Sequence, residues 1–444
     1  MTSLPDAFVS RKAELCKVAK KCSGEKSCLL SESIKSRAIV RYPVSLTFKN
    51  HCQQFSLEPG SKMIPFHKPY ITIDEITEVL DSLRSGWITM GPKTIEFENK
   101  FKEYVGSKNA VSMNSCTACL HLALKAIGLQ EGDEVIVPTV TFTATAEVVT
   151  YFKAKPVLVD IEADTYNIDT SLIEGKITNK TKAIMPVHFA GQLCDMDEIC
   201  ALAKRYNLVV IEDAAHAIPA CYKDRKVGTI GDIACFSFYA TKSLTTGEGG
   251  MATTANDEWA DKMRILRLHG ISRDAWKRYT GEGSWYYEVE TAGYKYNMTD
   301  IQAAMGLAQL RKIDWMWKRR KEIADSYTNA FASRDDITTP YVKSDRESSW
   351  HLYVVKLNID KLSIDRNQFI EELKGRGVMT SVHFIPLHKH PYYMTAFNYD
   401  PGEFAVSESV YKRIISLPIY PGMRNEDVEQ VICSVKDVLQ KFSF

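Results

Sequence analysis

"DIACFSFYATKSLTTGEGGMATT", residues 232–254, places a single lysine, Lys242, between two β-type runs. The first run, DIACFSFYA (232–240), is continuously apolar rather than alternating, as expected for a strand covered on both faces. The second, GGMATT (249–254), follows a turn that holds glycines 247, 249 and 250. A phosphate loop of the Walker type needs its lysine after the glycines and directly ahead of Ser or Thr. Here the lysine comes first, so TTGEGG is not such a loop. By itself a loop lysine reads as solvated, and its meaning depends on what else gathers where strands end.

Five further runs precede it: NAVSM (109–113), EVIVP (134–138), KPVLVDI (155–161), TKAIMPVHF (181–189) and NLVVIEDA (207–214). Between them, CTACLHLALKAIGL and MDEICALAKRY carry apolar residues at helical spacing. Strand and helix in alternation predict an α/β three-layer sandwich with a mainly parallel, seven-stranded sheet. Such sheets bind ligands beyond the carboxyl ends of their strands. LRSGWITMGPKTIEFENKF (83–101) links a leading helix into this large domain, which is read as residues 63–300. From 301 to 444 a smaller α+β domain is expected: one long charged helix over 301–331, then SWHLYVVKL, FIEELKGRGV and TSVHFIP. Residues 1–62 are polar and weakly patterned, an appendage of unassigned role.

The chain has 444 residues, 45% hydrophobic and 25% charged, enough to bury a large core. A formal net charge of +1 gives no bulk attraction for nucleic acid or an anionic membrane, so any phosphate must be held by a local site. The opening 22 residues lack a signal peptide's apolar stretch, and no run of about eighteen apolar residues follows. Eleven scattered cysteines favour reduced thiols in a cytoplasmic protein. Cys16, Cys22 and Cys28 lack the CxxC spacing of a zinc site, and no metal is expected.

VVIEDAAHA (209–217) sets Asp213 and His216 just beyond a buried strand. Asp213 reads either as the cap of a following helix or as a carboxylate facing a cleft. His216 reads either as a hydrogen-bonded interior histidine or as a site residue. In SMNSCTACLHLAL a strand ends in small polar residues and a helix begins near Thr117, which serves equally as a capped helix start or as an anion site. Together these parts suggest a lysine, an acid and a phosphate cradle around one cofactor.

The ordered set NSCTACLHLAL, PTVTFTATAEVV, PVHFAGQLCDMDEI, VVIEDAAHA, FSFYATKSLTTGEGG and GYKYNMTDIQAAMGLAQL closely resembles the DegT/DnrJ/EryC1/StrS family of sugar aminotransferases. The resemblance spans roughly residues 63–440. SGWITMGPK, PVHFAG and GYKYNMTDI are most like the branch of UDP-4-amino-4-deoxy-L-arabinose–oxoglutarate aminotransferases. The resemblance implies the aspartate aminotransferase fold (fold type I) and pyridoxal 5'-phosphate as cofactor.

It also implies roles. Lys242 carries the cofactor as a Schiff base and then shuttles a proton, and Asp213 pairs with the pyridine nitrogen. Phe142 stacks on the ring unless it is simply core packing, and His216 lies near the ring's hydroxyl edge or the substrate. The N–H groups of Thr117 and Ala118 and the hydroxyl of Ser237 hold the phosphate. Asn297 reaches it from the other subunit, which implies a homodimer with shared active sites. His383 borders the sugar site or is structural, and His351 is read as structural. The glycines after Lys242 let the backbone turn beside the cofactor.

The reaction implied is ping-pong transfer from L-glutamate, leaving 2-oxoglutarate, to a keto group of a nucleotide-linked sugar, a 4-keto sugar being favoured. The pathway implied is that of cell-surface polysaccharide or lipopolysaccharide precursors. Another keto sugar, such as a keto-octulosonate, or a catalytically silent protein of the same fold, is the alternative. Related dehydratases replace the lysine by histidine, so Lys242 favours amino transfer over dehydration.

Overall fold

The computed structural model describes residues 63–271 and 286–444. The appendage, with Cys16, Cys22 and Cys28, and residues 272–285, which include the 276–285 part of the WKRYTGEGSWYYEVETAGYKY segment, lie outside the described residues.

Seven strands form the main sheet: β1 (Asn109–Met113), β2 (Glu134–Pro138), β3 (Lys155–Val159), β4 (Thr181–Ile184), β5 (Val209–Asp213), β6 (Ile233–Ser237) and β7 (Gly250–Thr254). Their order is β1-β7-β6-β5-β4-β2-β3. β7 runs antiparallel to both neighbours, and all the other pairs are parallel. The continuous apolar runs follow from this placement, because residues of both parities are buried. Ile233 and Cys235 join one core with Val111, Val135 and Ile211, while Ala234 and Phe236 join another with Phe97, Phe101 and Ile136. Each fully buried Ile or Phe contributes about 1.5–3 kcal/mol, so the sheet is held from both sides.

The helices that matter here are α1 (Ile73–Ser85), α2 (Pro92–Val105), α3 (Cys116–Ala126), α4 (Ala144–Thr150), α5 (Met196–Tyr206), α6 (Asp257–Leu266), α7 (Asp300–Arg311), α8 (Ile313–Phe331), α9 (Arg366–Gly375) and α10 (Asn425–Phe442). The single long helix expected over 301–331 is two helices. The chain leaves helical geometry at Lys312 (φ −117°, ψ 10°), whose ammonium pairs with Glu75 and donates to Thr72 Oγ1 at 2.9 Å. α7 packs on α1 and α2. It is buried nearly all round, and a Cβ on Gly306 would come within 2.7 Å of the Phe97 ring. α8 instead feeds a separate core through Ile323, Tyr327 and Phe331.

That second core lies under a three-stranded antiparallel sheet of β8 (Ile337–Thr338), β9 (Tyr353–Leu357) and β10 (Ile414–Leu417), with α9 and α10. The first described residues join it too. The Ile64 N–H donates to the Gly377 carbonyl (2.8 Å) and the Met379 N–H to the Ile64 carbonyl (3.0 Å). Among the described residues no helix is long and apolar enough to cross a membrane, and the seven described cysteines are free thiols.

Candidate active site

The carboxyl ends of β1, β2, β5 and β6 lie along one edge of the sheet, and a cavity of about 640 Å³ opens there. Thr117, Phe142, Asp213, His216, Ser237, Lys242 and His383 all line it. Sequence positions spread over more than half the chain are thus brought to one place by the strand order.

Asp213 ends β5 and is buried. No helix follows it: residues 215–219 form a turn, so the helix-cap reading is overturned. One carboxylate oxygen accepts the Ala215 N–H at 3.1 Å and the other accepts the Thr145 hydroxyl at 2.8 Å. Thr145 lies on α4 and bonds Thr141, another lining residue, at 2.7 Å. Burial pushes the Asp213 carboxyl above the usual range, while these two hydrogen bonds and the Lys242 charge oppose it. A buried carboxylate braced in this way suits a cationic ring N–H.

Lys242 sits in the loop between β6 and β7, whose ends are paired with Ser237 opposite Gly250. The solvated-lysine reading is overturned: the side chain is half-buried and lines the cavity. Burial pushes its amine down to about 8, with Asp213 and then Cys116 pulling the other way. A larger share of neutral, nucleophilic amine at neutral pH is the chemical result. Gly247 turns the loop at φ +80°, a conformation L side chains rarely adopt. Gly250 lets β7 pass α3 closely, since a Cβ there would lie 2.5 Å from the Ser115 carbonyl carbon.

His216 is buried, yet its Nδ1 has no hydrogen-bond partner among the described residues, so it is not a satisfied interior histidine. Its ring lies 4.4 Å from that of His351, whose Nδ1 also lacks a partner. His351, read from sequence as structural, therefore lines the same cavity. Burial first, then nearby cations, holds both imidazoles well below their usual range. His383 bonds the Ser416 hydroxyl at 2.8 Å and is pushed down to about 4 by burial and Lys242. Phe142 belongs to no core; it is 60% exposed and faces Phe384 across 6.1 Å at the cavity wall.

α3 begins at Cys116, one residue earlier than expected, with Ser115 as its cap. The Ala118 N–H is already donated to Ser115 Oγ at 3.0 Å, whereas Thr117 faces the cavity at the positive end of the helix and Ser237 lies beside it. Asn297 does not line the cavity of its own chain; its amide donates to the Met298 carbonyl at 3.2 Å. The sequence reading missed His67, which lines the cavity, and the bracing threonines. No periodicity or spacing marks either; both come in by tertiary contact.

The model of the DegT/DnrJ/EryC1/StrS aminotransferase family matches residues 69–436. The chain belongs to this family. A Streptococcus pneumoniae protein assigned as a sugar aminotransferase and solved in its pyridoxal-phosphate form is 38% identical, with TM-score 0.79 over 86% of this chain and 99% of that one. PseC of Helicobacter pylori, an aminotransferase involved in the biosynthesis of pseudoaminic acid, is 30% identical with TM-score 0.80, covering 86% of this chain and 100% of its own. The spore coat polysaccharide biosynthesis protein SpsC of Bacillus subtilis is 50% identical over 385 residues, 86% of this chain and 99% of SpsC. An uncharacterized protein of Methanocaldococcus jannaschii is 56% identical over 85% of this chain and 98% of its own.

As a member of the DegT/DnrJ/EryC1/StrS family, the protein is a pyridoxal-phosphate-dependent sugar aminotransferase of fold type I. The cavity fits that cofactor: an amine, a braced carboxylate, a helix start with a hydroxyl beside it, and a buried imidazole nitrogen awaiting a partner.

Proposed function

We propose that the protein moves an amino group from L-glutamate to the keto group of a nucleotide-linked sugar, a 4-keto sugar being favoured, in the cytoplasm. The product would serve cell-surface polysaccharide or lipopolysaccharide precursors. The convergence of Lys242, Asp213 and the unpartnered His216 on one cavity carries the chemical part of this reading. SpsC, with its part in polysaccharide biosynthesis, and PseC, with its part in the biosynthesis of pseudoaminic acid, support the substrate class.

Pyridoxal phosphate, when bound, supplies a carbonyl that takes up the amino group and a ring that spreads the charge of the deprotonated carbon. The chain's residues do the rest. Lys242 Nζ would anchor the cofactor, and the same amine would move the proton of the substrate's reacting carbon. Asp213 keeps the ring nitrogen protonated, with Thr145 and Ala215 fixing its orientation. The Thr117 N–H and the Ser237 hydroxyl would hold the phosphate, and the Ala118 N–H could join them only in place of its bond to Ser115. Phe142 would cover one ring face and His216 would meet the ring's hydroxyl edge.

The test is the absorption spectrum of the purified holoenzyme. A visible band should fade on adding L-glutamate and return on adding a keto sugar acceptor. A band indifferent to every amino donor would sink the transfer reading.

The homodimer is supported by Asn297, a phosphate ligand in this reading that does not line its own cavity. Co-expressing two inactive variants, Lys242→Ala and Asn297→Ala, should restore up to about a quarter of wild-type activity overall, because random assortment makes about half of the dimers mixed and each of those has one of its two sites intact. Absence of complementation in mixed dimers would place Asn297 outside the shared site.

A further inference from the structure

His67 is carried into the cavity by the leading segment that Ile64 fastens to Gly377 and Met379. Its ring packs against Tyr420 at 6.0 Å, and the backbone carbonyl of Ala240, two residues before Lys242, offers it an acceptor. The nitrogen left over, Nε2, is buried and has no partner among the described residues. A neutral imidazole that turns its Nδ1–H toward that carbonyl can only accept through Nε2. Two cations face the ring, Lys242 and the buried Arg320, whose guanidinium donates to the carbonyls of Trp350, His351 and Ile419. With burial they hold His67 down to about 3, so the acceptor persists throughout the working pH range.

We propose that His67 Nε2 accepts a hydrogen bond from a hydroxyl group of the sugar substrate and so belongs to the sugar half-reaction alone. The proposal rests on the sugar reading above and adds a specificity residue to it. Chemistry selects the partner. The cofactor's phosphate and phenolate oxygens are acceptors, and its ring N–H is taken by Asp213. L-Glutamate brings two carboxylates, which are also acceptors, and one amino group, which enters the reaction. Sugar hydroxyls donate. An obligate acceptor in the wall therefore favours the hydroxylated substrate and repels a dicarboxylate.

The two half-reactions can be followed separately on the holoenzyme by the cofactor's absorbance. Amination by L-glutamate is followed first, and then the reverse reaction with UDP- and dTDP-linked 4-amino-4,6-dideoxyhexoses as probes. His67→Leu should raise the amino-sugar concentration giving half-maximal rate by about tenfold, the scale of one lost hydrogen bond, and leave the glutamate half-reaction within about twofold. His67→Gln, which restores a carbonyl acceptor, should recover most of the loss. If both half-reactions fall together, or neither changes, the assignment is overturned and the aminotransferase reading stands. Wild-type enzyme that reacts with glutamate but with none of the amino sugars overturns the sugar reading beneath it.

Discussion

Lys242→Ala is expected to lower turnover by at least about 10⁴-fold while leaving the fold intact, because it removes both the cofactor's anchor and the mobile proton carrier. Lys242→Arg should be equally inactive, since a guanidinium is never deprotonated near neutral pH. The fold should survive because Lys242 lies in a loop and lines the cavity. Circular dichroism and melting temperature should match wild type, and the visible band should be lost or displaced. The wild-type amine adds a pH signature. Neutral amine increases as pH rises, and with the amine pushed down to about 8 the rate of cofactor uptake by ligand-free protein should climb through that pH and level off. An ordinary lysine would still be climbing near 10.5. Normal turnover in either variant would place the reactive amine elsewhere.

Asp213→Ala should lower turnover by about 10²–10³-fold or more and weaken cofactor retention, the scale set by removing a preorganised charge from a site sheltered from water. Asp213→Asn separates charge from shape. Its carbonyl oxygen can still accept from Ala215 or Thr145, so the turn should survive while the ionic partner of the ring nitrogen is gone. Equal losses in Asn and Ala variants assign the effect to charge. Unchanged rates in both would make Asp213 a turn residue only. Because burial raises this carboxyl, its neutral form appears at a higher pH than for an exposed aspartate. In the ligand-free protein, cofactor affinity should therefore fall off on acidification earlier than an exposed aspartate would produce.

The sheet was readable because burial on both faces leaves continuous apolar runs, and 232–240 and 207–214 are such runs. Lys242, Asp213 and Thr117 were readable as a set because each closes or follows a strand on the same edge, whereas Ser237, inside the run 232–240, entered only through the family resemblance. His67, Thr145 and the cavity position of His351 were not. They reach the cavity from a leading strap, a short helix and a loop before β9, and nothing local distinguishes a histidine there from one in a core. The break at Lys312 was hidden for a related reason: IQAAMGLAQLRKIDWMW keeps helical spacing, and only the tie from Lys312 to Glu75 shows where it stops. Asp213 misled in the opposite direction, since a strand followed by Asp looks like a helix start, whereas here it is a tight turn.

The fastening of Ile64 to Gly377 and Met379 joins the start of the described chain to a segment far along it. A ribosome delivers Ile64 early and its partners late, with Asp213 and Lys242 between them. Both reactive residues are therefore synthesised before the wall carrying His67 can be pinned in place. The nascent enzyme can complete its sheet and still lack one side of its pocket, so competence to bind substrate arrives only after residues 377–379 have emerged and long-range closure has occurred.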